Sequence, residues 1–321
     1  MNKPSFIMMV GLPGSGKSTY AKTLTLDGKP YIIHSSDKLR EELYGDAAIQ
    51  GDNNKLFAEL HKRIKEDLQR GENVVYDATN IKKKNRIAFL RELEDIPCHK
   101  DCIVMATEYK ACVYNNEHRE RKVPPEVIRR MFLNYQPPHE SEGFGEIIYV
   151  FTYLTSDNRL VENPPNDDYT LSKFFKIAND FDQENHHHSL TLGEHCAKAG
   201  KYIQNHRPND FWLLIAALLH DIGKLDTKSR LNSRGVDDGN AHYFNHNCAG
   251  SYTAMFVLSN IEKVWEKYCP MSDVTNMIYY HMCPYLAWKQ SEKAKERDKR
   301  LLGEKMFNDI MLLHEADLAA H

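Results

Sequence analysis

Residues 11–18 have the residue types and spacing of a phosphate-binding loop. They read Gly-Leu-Pro-Gly-Ser-Gly-Lys-Ser after the apolar run 6–10, so the pattern GxxxxGK[ST] lies between a predicted strand and a predicted helix. Lys17 would reach the β- and γ-phosphates of a nucleotide, and the Ser18 hydroxyl would hold Mg²⁺. A glycine-rich turn without a ligand does not need this Lys-Ser pair. The pattern therefore predicts binding of ATP or another NTP with Mg²⁺, through Gly11, Gly14, Ser15, Gly16, Lys17, Ser18 and Thr19.

Asp37 and Arg40 follow the second predicted strand. The carboxyl ends of parallel strands face the ligand crevice of a nucleotide-binding sheet. A carboxylate at Asp37 would accept the proton of an attacking hydroxyl, and Arg40 on the same helix face would bind a substrate phosphate. The alternative is that Ser36 or Asp37 only caps the next helix.

Asp77 and the basic run 118–122 are further candidates in the first half. Asp77 closes the third predicted strand, where it would hold Mg²⁺ or cap a turn together with Asn80. The basic run precedes two prolines and is either solvated surface or a lid whose arginine bridges charge in a transition state.

Taken together, these motifs resemble the phage-type polynucleotide 5′-kinases among the P-loop phosphotransferases, over about residues 5–137. The matching motifs are Gly11–Ser18, Asp37-x-x-Arg40, Asp77-x-Thr79-Asn80 and Arg119 ahead of Val123-Pro124. The resemblance implies that Asp37 is the general base, that Arg40 contacts a substrate phosphate and that Arg119 is a lid residue on the NTP phosphates. Arg121 is the other candidate for the lid arginine.

The second half of the chain is rich in histidine, with eleven of sixteen at or beyond His186. His220-Asp221 ends the apolar run 213–219, which places two ligand types in a low-dielectric setting where charges need partners or a metal. His195 lies on an earlier predicted helix and Asp317 on the last one. Their convergence would form a site for Mn, Fe, Co, Ni or Zn.

This arrangement resembles the HD phosphohydrolase superfamily over about residues 186–321, and the local sequence is similar to that of the HD domain of bacterial CCA-adding enzymes. The resemblance implies one or two transition-metal ions and a water molecule, activated by the metal, that attacks phosphorus. By the same resemblance the metal ligands are His195, His220, Asp221 and Asp317, with His246 and His281 for a second ion. The scissile phosphate would be bound by His188, Lys224 and His242.

Two kinds of hydrophobic pattern predict the strands and helices that position these residues. Apolar strands alternate with helices in the first half, which predicts an α/β domain with a parallel sheet covered on both faces, whereas the second half predicts an all-helical HD domain. The expected strands are Phe6–Val10, Tyr31–Ser35, Asn73–Ala78, Cys102–Thr107 and Ile147–Thr152. We expect domains at 1–154 and 169–321, joined by a polar linker at 155–168 that ends in Asn163-Pro164-Pro165-Asn166.

Composition limits the classes of function. The chain has 321 residues, 41% of them hydrophobic, and no apolar run approaches the roughly 18 residues of a membrane span. Seven scattered cysteines without a CxxC pair, and no room for a signal peptide, indicate a cytoplasmic protein with thiols in its core. The net charge of −3 leaves any nucleic-acid contact to local basic groups such as Lys82–Lys84 and Arg86.

A kinase fused to a phosphoesterase indicates healing of RNA or DNA ends. The first half would phosphorylate a 5′-OH, and the second would remove a 2′,3′-cyclic phosphate or a 3′(2′)-phosphate, so that a ligase could act. A nucleoside kinase joined to a nucleotidase is the alternative. A regulator with degenerate sites is a third possibility, but the intact Lys17, Asp37 and His220-Asp221 argue against it.

Overall fold

The computed structural model describes residues 3–49, 51–162, 169–184, 190–265 and 268–321. Contacts divide the chain into two compact units, the first comprising 1–131 with 138–164 and the second comprising 132–137 with 165–321. Among the described residues, no helix is both long enough and apolar enough to span a membrane. Five of the seven cysteine side chains are buried, so these thiols are core residues.

The first unit is built on a six-stranded sheet flanked by helices. The strands of this sheet are β1 (Ser5–Val10), β4 (Ile32–Ser35), β5 (Val74–Asp77), β6 (His99–Thr107), β7 (Ile147–Leu154) and β8 (Leu160–Glu162). Two short strands, β2 (Thr25–Leu26) and β3 (Lys29–Pro30), form a separate antiparallel pair. The helices of this unit are α1 (Lys17–Ala21), α2 (Ser36–Tyr44), α3 (Asn53–Gln69), α4 (Lys83–Glu92), α5 (Tyr109–Glu117) and α6 (Pro125–Phe132), and a 3₁₀ turn spans Glu140–Glu142.

The sheet order is β4-β5-β1-β6-β7-β8, and all pairs are parallel except β7 with β8. Alternate residues of β1 pack on opposite faces: Ile7 and Met9 join a cluster with Ala21 of α1, whereas Phe6 contacts Phe89 of α4. All six residues of β1 are buried, as expected for a central strand covered on both faces. The predicted parallel sheet, with its five strands, is therefore confirmed.

The first unit departs from the sequence expectation at its end. The polar segment 155–168 was expected to be a linker, but residues 160–162 form β8 and pair antiparallel with β7. The pairing follows a tight turn in which Thr155 N–H donates to the Arg159 carbonyl at 2.9 Å. The Asn163–Asp168 part of the predicted linker lies outside the described residues.

The second unit is mainly helical, as predicted. Its helices are α7 (Leu171–Ala178), α8 (Leu192–His206), α9 (Phe211–Leu219), α10 (Lys224–Thr227), α11 (His246–Trp265), α12 (Met271–Tyr280), α13 (Ala287–Gln290) and α14 (Glu292–Ala319). Helix α8 packs against α9 and α14, and α12 packs against α9 and α11. One element was not predicted, an antiparallel hairpin of β9 (Ser229–Leu231) and β10 (Asp237–His242).

Candidate active sites in the two units

The phosphate loop connects β1 to α1 at the centre of the sheet. Gly14 and Gly16 adopt φ values of +81° and +84°, which glycine adopts without steric cost. A Cβ at Gly14 would lie 2.2 Å from the Cys112 carbonyl oxygen of α5, so only glycine fits there. Thr107 Oγ1 donates to the Ser15 carbonyl at 2.9 Å, which fixes the loop against β6. The sequence therefore shapes a cradle for phosphate at a helix N-terminus.

Lys17 lies inside this cradle. Its Nζ donates to the carbonyl oxygens of Gly11 and Leu12, at 3.1 and 2.8 Å. Burial lowers the pKa of Lys17, and the nearby Asp77 carboxylate opposes that shift. A third hydrogen bond reaches Ser15 Oγ at 3.3 Å. A buried cation with neutral hydrogen-bond partners is a strong attractor for the phosphates of a nucleotide.

Ser18 and Asp77 meet although they are 59 residues apart. Ser18 Oγ donates to Asp77 Oδ2 at 2.6 Å, because β5 ends beside β1 in the parallel sheet. Asp77 is 4% exposed, and its carboxylate faces the loop. A hydroxyl and a carboxylate oxygen at the phosphate loop form a donor set that suits Mg²⁺. The neighbouring Asn80, at φ +45°, donates to the Met9 carbonyl, which ties the segment after β5 to β1 just before the loop.

Asp37 lies in the first turn of α2, and its side chain is 54% exposed. The N-cap position belongs to Ser35, and Asp37 is not a cap, so its carboxylate is available for chemistry. Two guanidinium groups contact it: Arg40 Nη1 at 3.3 Å and Arg121 Nη1 at 2.5 Å. The sequence expectation of an acid–arginine pair at this edge of the sheet is met in its geometry.

The two candidate lid arginines have different surroundings. Arg121 pairs with Asp37, whereas Arg119 donates through Nε to Asn116 Oδ1 at 3.1 Å. The charge of Arg119 contributes to lowering the pKa of Lys17, which places this guanidinium near the phosphate loop. Burial lowers the pKa of Arg119 itself, the Asp37 carboxylate opposes that shift, and the charge of Arg121 adds to it. Arg119 is thus close enough to interact with the charges of both Lys17 and Asp37, whereas Arg121 contacts Asp37 directly.

The sequence suggested that Arg86 belongs to an exposed basic group, but the structure buries it. Its guanidinium is fully buried and makes two 2.7 Å hydrogen bonds to the Glu142 carboxylate. A third bond reaches the Asn80 carbonyl at 2.9 Å. The residue therefore braces the loop after β5 and is removed from any nucleic-acid surface.

Six buried ligand-type side chains converge in the second unit from three helices and from the turns after α9 and α12. His195 lies on α8 and Asp317 on α14, His220 and Asp221 follow α9, His246 begins α11 and His281 follows α12. All six are at most 7% exposed. Local spacing alone does not bring these residues together; helix packing does.

Asp221 stands between two halves of this cluster. Its Oδ2 faces His195 Nε2 and His220 Nε2, at 3.4 and 3.5 Å, and its Oδ1 faces His246 Nε2 and His281 Nε2, at 3.2 and 3.5 Å. Asp317 Oδ1 completes the first half, 3.1 Å from His195 Nε2. Each half therefore contains two imidazole nitrogens and at least one carboxylate oxygen.

The tautomers of three histidines follow from their backbone contacts. Nδ1 of His220, His246 and His281 lies 2.6–2.8 Å from the carbonyl oxygens of Ala217, Tyr243 and Ile278, respectively. A carbonyl only accepts, so each Nδ1 carries a proton, and in the neutral ring Nε2 presents a lone pair. Lone pairs of His246 and His281 then face each other at 3.2 Å. A cation between them relieves this repulsion.

The cluster fits metal ions. Ligands held about 2.1 Å from an ion are separated from one another by about 3.0–3.4 Å in right-angled or tetrahedral geometry. The observed separations of 3.1–3.6 Å are close to those values. Burial lowers the pKa of His220, but the carboxylates of Asp221 and Asp317 outweigh it and raise that pKa to about 9. The same negative field favours a cation of any kind.

Two neighbours of the cluster orient its carboxylates. Lys224 Nζ contacts Asp221 Oδ2 at 2.7 Å and donates to Gln183 Oε1 at 2.8 Å. Tyr285 donates its hydroxyl to Asp317 Oδ2 at 3.0 Å, leaving Oδ1 directed at the histidines. Tyr285 could not be predicted, because a lone tyrosine in a short loop after α12 carries no spacing signal. Such second contacts set the orientation of metal ligands.

The remaining predicted phosphate ligands differ in their placement. His188 lies outside the described residues. His242 ends β10, and its Nε2 contacts both carboxylate oxygens of Asp238 at 2.9 and 3.1 Å. Within the described part of the chain, no contact joins His242 to the six-residue cluster.

Comparison with known families gives each unit a class. Residues 6–138 match the AAA domain family AAA_33, and residues 185–318 match the HD domain family. The first match falls on the unit with the phosphate loop and the second on the helical unit with the histidine-aspartate cluster, in agreement with the P-loop and HD motifs of the sequence. No curated protein gives a significant match to the chain.

Solved structures similar to the chain share low sequence identity with it. A candidate kinase from Chloroflexus aurantiacus j-10-fl is 16% identical, over 47% of this chain and 89% of its own, with a TM-score of 0.37. A gluconokinase from Sinorhizobium meliloti 1021 is 19% identical, over 47% and 84%, with a TM-score of 0.34. A chain of the Pnkp1/Rnl/Hen1 RNA repair complex is 17% identical, over 42% of this chain and less than half (44%) of its own, with a TM-score of 0.35.

Proposed function

We propose that this chain heals nucleic-acid ends, with the first unit phosphorylating a 5′-OH and the second removing a 2′,3′-cyclic phosphate or a 3′(2′)-phosphate. The ends so formed, a 5′-phosphate and a 3′-OH, are those that a ligase joins. The proposal draws on the AAA_33 and HD matches for the two reaction classes. The choice of a polynucleotide as acceptor draws on the surroundings of Asp37.

Arg40 carries that choice of acceptor. Its Nη1 and Nη2 contact Asp37 and Asn53, while its buried Nε has no hydrogen-bond partner among the described residues. A buried donor without a partner costs roughly 1–3 kcal/mol, and an anion that it could reach would recover that cost. A phosphodiester beside a terminal hydroxyl supplies such an anion next to the candidate base, whereas a free nucleoside does not.

The kinase step follows from these positions. The acceptor hydroxyl loses its proton to Asp37 as its oxygen bonds to the γ-phosphorus, and the bond from that phosphorus to the β,γ-bridging oxygen breaks to release ADP. Lys17 and Arg119 would neutralise charge on the transferred group, while Ser18 and Asp77 would hold Mg²⁺. For Asp37 to accept this proton, Arg121 must release the Asp37 carboxylate and contact the substrate instead.

In the second unit, six residues would hold one or two transition-metal ions: His195, His220, Asp221, His246, His281 and Asp317. Bound metal supplies an activated water and offsets charge on the phosphate. The chain's own contribution is orientation, through the backbone carbonyls that fix the imidazole tautomers and through Lys224 and Tyr285. Lys224, whose Nζ lies against the cluster, would also contact the phosphate.

The alternative is an enzyme of nucleotide metabolism, with a nucleoside kinase and a nucleotidase. The burial of Arg86 favours it, because a basic group suggested for a polynucleotide track is not at the surface. The two functions differ in the acceptor that the kinase prefers.

One experiment separates them. The protein is incubated with γ-labelled ATP and either a 5′-OH oligonucleotide or a nucleoside at equal salt, with Arg40→Ala compared against Arg63→Ala, which removes a surface arginine paired with Glu42. We expect a higher kcat/KM for the oligonucleotide and a roughly tenfold to hundredfold loss of this preference in Arg40→Ala alone. Equal kcat/KM for both acceptors would favour the nucleotide-metabolism function.

A further inference from the structure

Phe244 is an exposed aromatic side chain beside the histidine-aspartate cluster. It is 47% exposed, which is unusual for a phenylalanine in a unit with a large apolar core. Its ring lies parallel to that of His242, with 5.5 Å between ring centroids and 3° between planes. The two residues thus form an aromatic pair that presents a flat apolar face to solvent.

The chain around this pair is held in place. Asp238 contacts the His242 ring through both carboxylate oxygens, which fixes the inner ring of the pair. Asn245 adopts φ +60°, an uncommon conformation for a residue other than glycine, and so sets a sharp turn directly after Phe244. Lys228, just before the hairpin, and Arg230 of β9 both pair with Glu184, which anchors the hairpin to the preceding loop.

The same turn carries a candidate metal ligand. Phe244 lies two residues before His246, so their Cα atoms are separated by at most about 7 Å. Tyr243 comes directly before Phe244, and its carbonyl accepts a hydrogen bond from His246 Nδ1. The Nζ of Lys224 lies 5.5 Å from the centroid of the Tyr243 ring. Lys224 in turn contacts Asp221 of the cluster. The aromatic pair therefore flanks Tyr243, which contacts both the candidate ligand His246 and Lys224.

We propose that Phe244, backed by His242, is a stacking surface for the nucleobase of the substrate whose phosphate reaches the cluster. The inference rests on the proposed phosphoesterase function and adds the recognition of its substrate. Every base has a π-face, so stacking on Phe244 selects nucleotides over other phosphoesters without selecting one base. His242 then acts as a support for the ring and not as a phosphate ligand.

The test compares two cyclic phosphodiesters with the metal-loaded full chain. Adenosine 2′,3′-cyclic phosphate carries a base, whereas glycerol 1,2-cyclic phosphate has the same reacting ring without one. In Phe244→Leu we expect KM for the adenosine substrate to rise about tenfold, in line with the loss of one base stack, with kcat unchanged. Kinetics with the glycerol substrate should stay as in wild type, and Phe244→Trp should restore the low KM.

Val236→Ala is the matched control, because it removes an exposed apolar side chain (56% exposed) between the strands of the same hairpin. An unchanged KM in Phe244→Leu, or an equal rise for both substrates, would overturn the stacking role. If the wild type hydrolyses neither substrate, the proposed phosphoesterase function fails, and calorimetry with adenosine 3′-phosphate and glycerol phosphate decides the inference by itself. Tighter binding of the adenosine ligand that Phe244→Leu abolishes would uphold it, and equal binding would refute it.

Discussion

At the scale of single residues, the geometry of Asp37 bears most directly on whether a side chain is catalytic or structural. The sequence left open whether this carboxylate caps α2 or serves as a base. In the structure Ser35 occupies the N-cap position, and Asp37 contacts Arg40 and Arg121 at the edge of the sheet. The proposal that Asp37 is the general base rests on its place at this edge of the sheet, where Arg40 and Arg121 contact its carboxylate.

We predict that Asp37→Asn lowers the kinase turnover number by about 10²–10⁴-fold, the usual contribution of a general base. The KM for ATP should change little, because Lys17, Ser18 and Asp77 hold the nucleotide. Steady-state kinetics with the preferred acceptor measure both values. Glu41→Gln, an exposed carboxylate on the same helix, serves as the control and should retain full activity. Full activity in Asp37→Asn would show that Asp37 is not the general base.

Tyr285 is a second single-residue case, and it could not have been predicted from the sequence. Its hydroxyl orients Asp317, and Tyr285→Phe removes this hydrogen bond while it preserves the ring against His314. We predict a roughly 10–100-fold loss of metal affinity, the range typical of such second contacts.

Competition with a chelator measures this affinity. Tyr202→Phe is the matched control. It removes a hydroxyl that reaches Glu315, on the same helix as Asp317, but that touches no candidate ligand. Identical metal affinity in wild type and Tyr285→Phe would mean that Asp317 is oriented by its other neighbours.

At the scale of secondary-structure elements, sequence patterns were most informative where burial on both faces is strict. The apolar runs of β1, β5 and β6 identified the parallel sheet, because a central strand exposes no face to water. The hairpin β9–β10 was missed because residues 229–242 are mostly polar and lack alternation. Its turn depends on Gly235 at φ +75°, whose N–H donates to the Asn232 carbonyl.

The histidine-aspartate cluster shows a different limit. His220-Asp221 was visible locally, at the end of an apolar helix, but the convergence of His195, His246 and Asp317 is set by helix packing. The sequence predicted that His195, His220-Asp221 and Asp317 converge, but only resemblance to a known superfamily added His246. The division of Asp221 between two ligand groups, and the tautomers fixed by backbone carbonyls, required coordinates.

Gly223 shows how closely two elements approach at this cluster. A Cβ at this position would lie 2.0 Å from the His246 carbonyl oxygen and 2.4 Å from the Gly250 nitrogen, both backbone atoms of α11. We predict that Gly223→Ala pushes α11 away from Asp221, destabilises the protein by about 1–3 kcal/mol and reduces metal content. Thermal unfolding and elemental analysis measure the two effects.

Gly200→Ala is the comparison for Gly223→Ala. The nearest atom to its new Cβ is the end of the flexible Leu218 side chain, at 2.5 Å, so the neighbour can move. The loss of stability should be smaller and the metal content unchanged. Equal effects of the two substitutions would show that α11 tolerates displacement at Gly223.

At the scale of the whole molecule, the two sets of functional residues lie in separate compact units. The phosphate loop, Asp37 and Asp77 belong to the first unit, and all six residues of the histidine-aspartate cluster belong to the second. Each unit has a buried core of its own, centred on β1 in the first and on α9 in the second. A substitution confined to one site therefore leaves the groups of the other site in place.

We predict that Lys17→Ala abolishes phosphoryl transfer and leaves the metal-dependent phosphoesterase activity near that of wild type. The double variant His220→Ala/Asp221→Ala should show the reverse, with the kinase retained and the transition metal absent from elemental analysis. Chelation of the wild type should stop phosphoesterase turnover in the same way, since the ligands themselves do not supply the activated water. Loss of both activities in either folded variant, or a metal content equal to wild type in the double variant, would contradict this assignment of one activity to each unit.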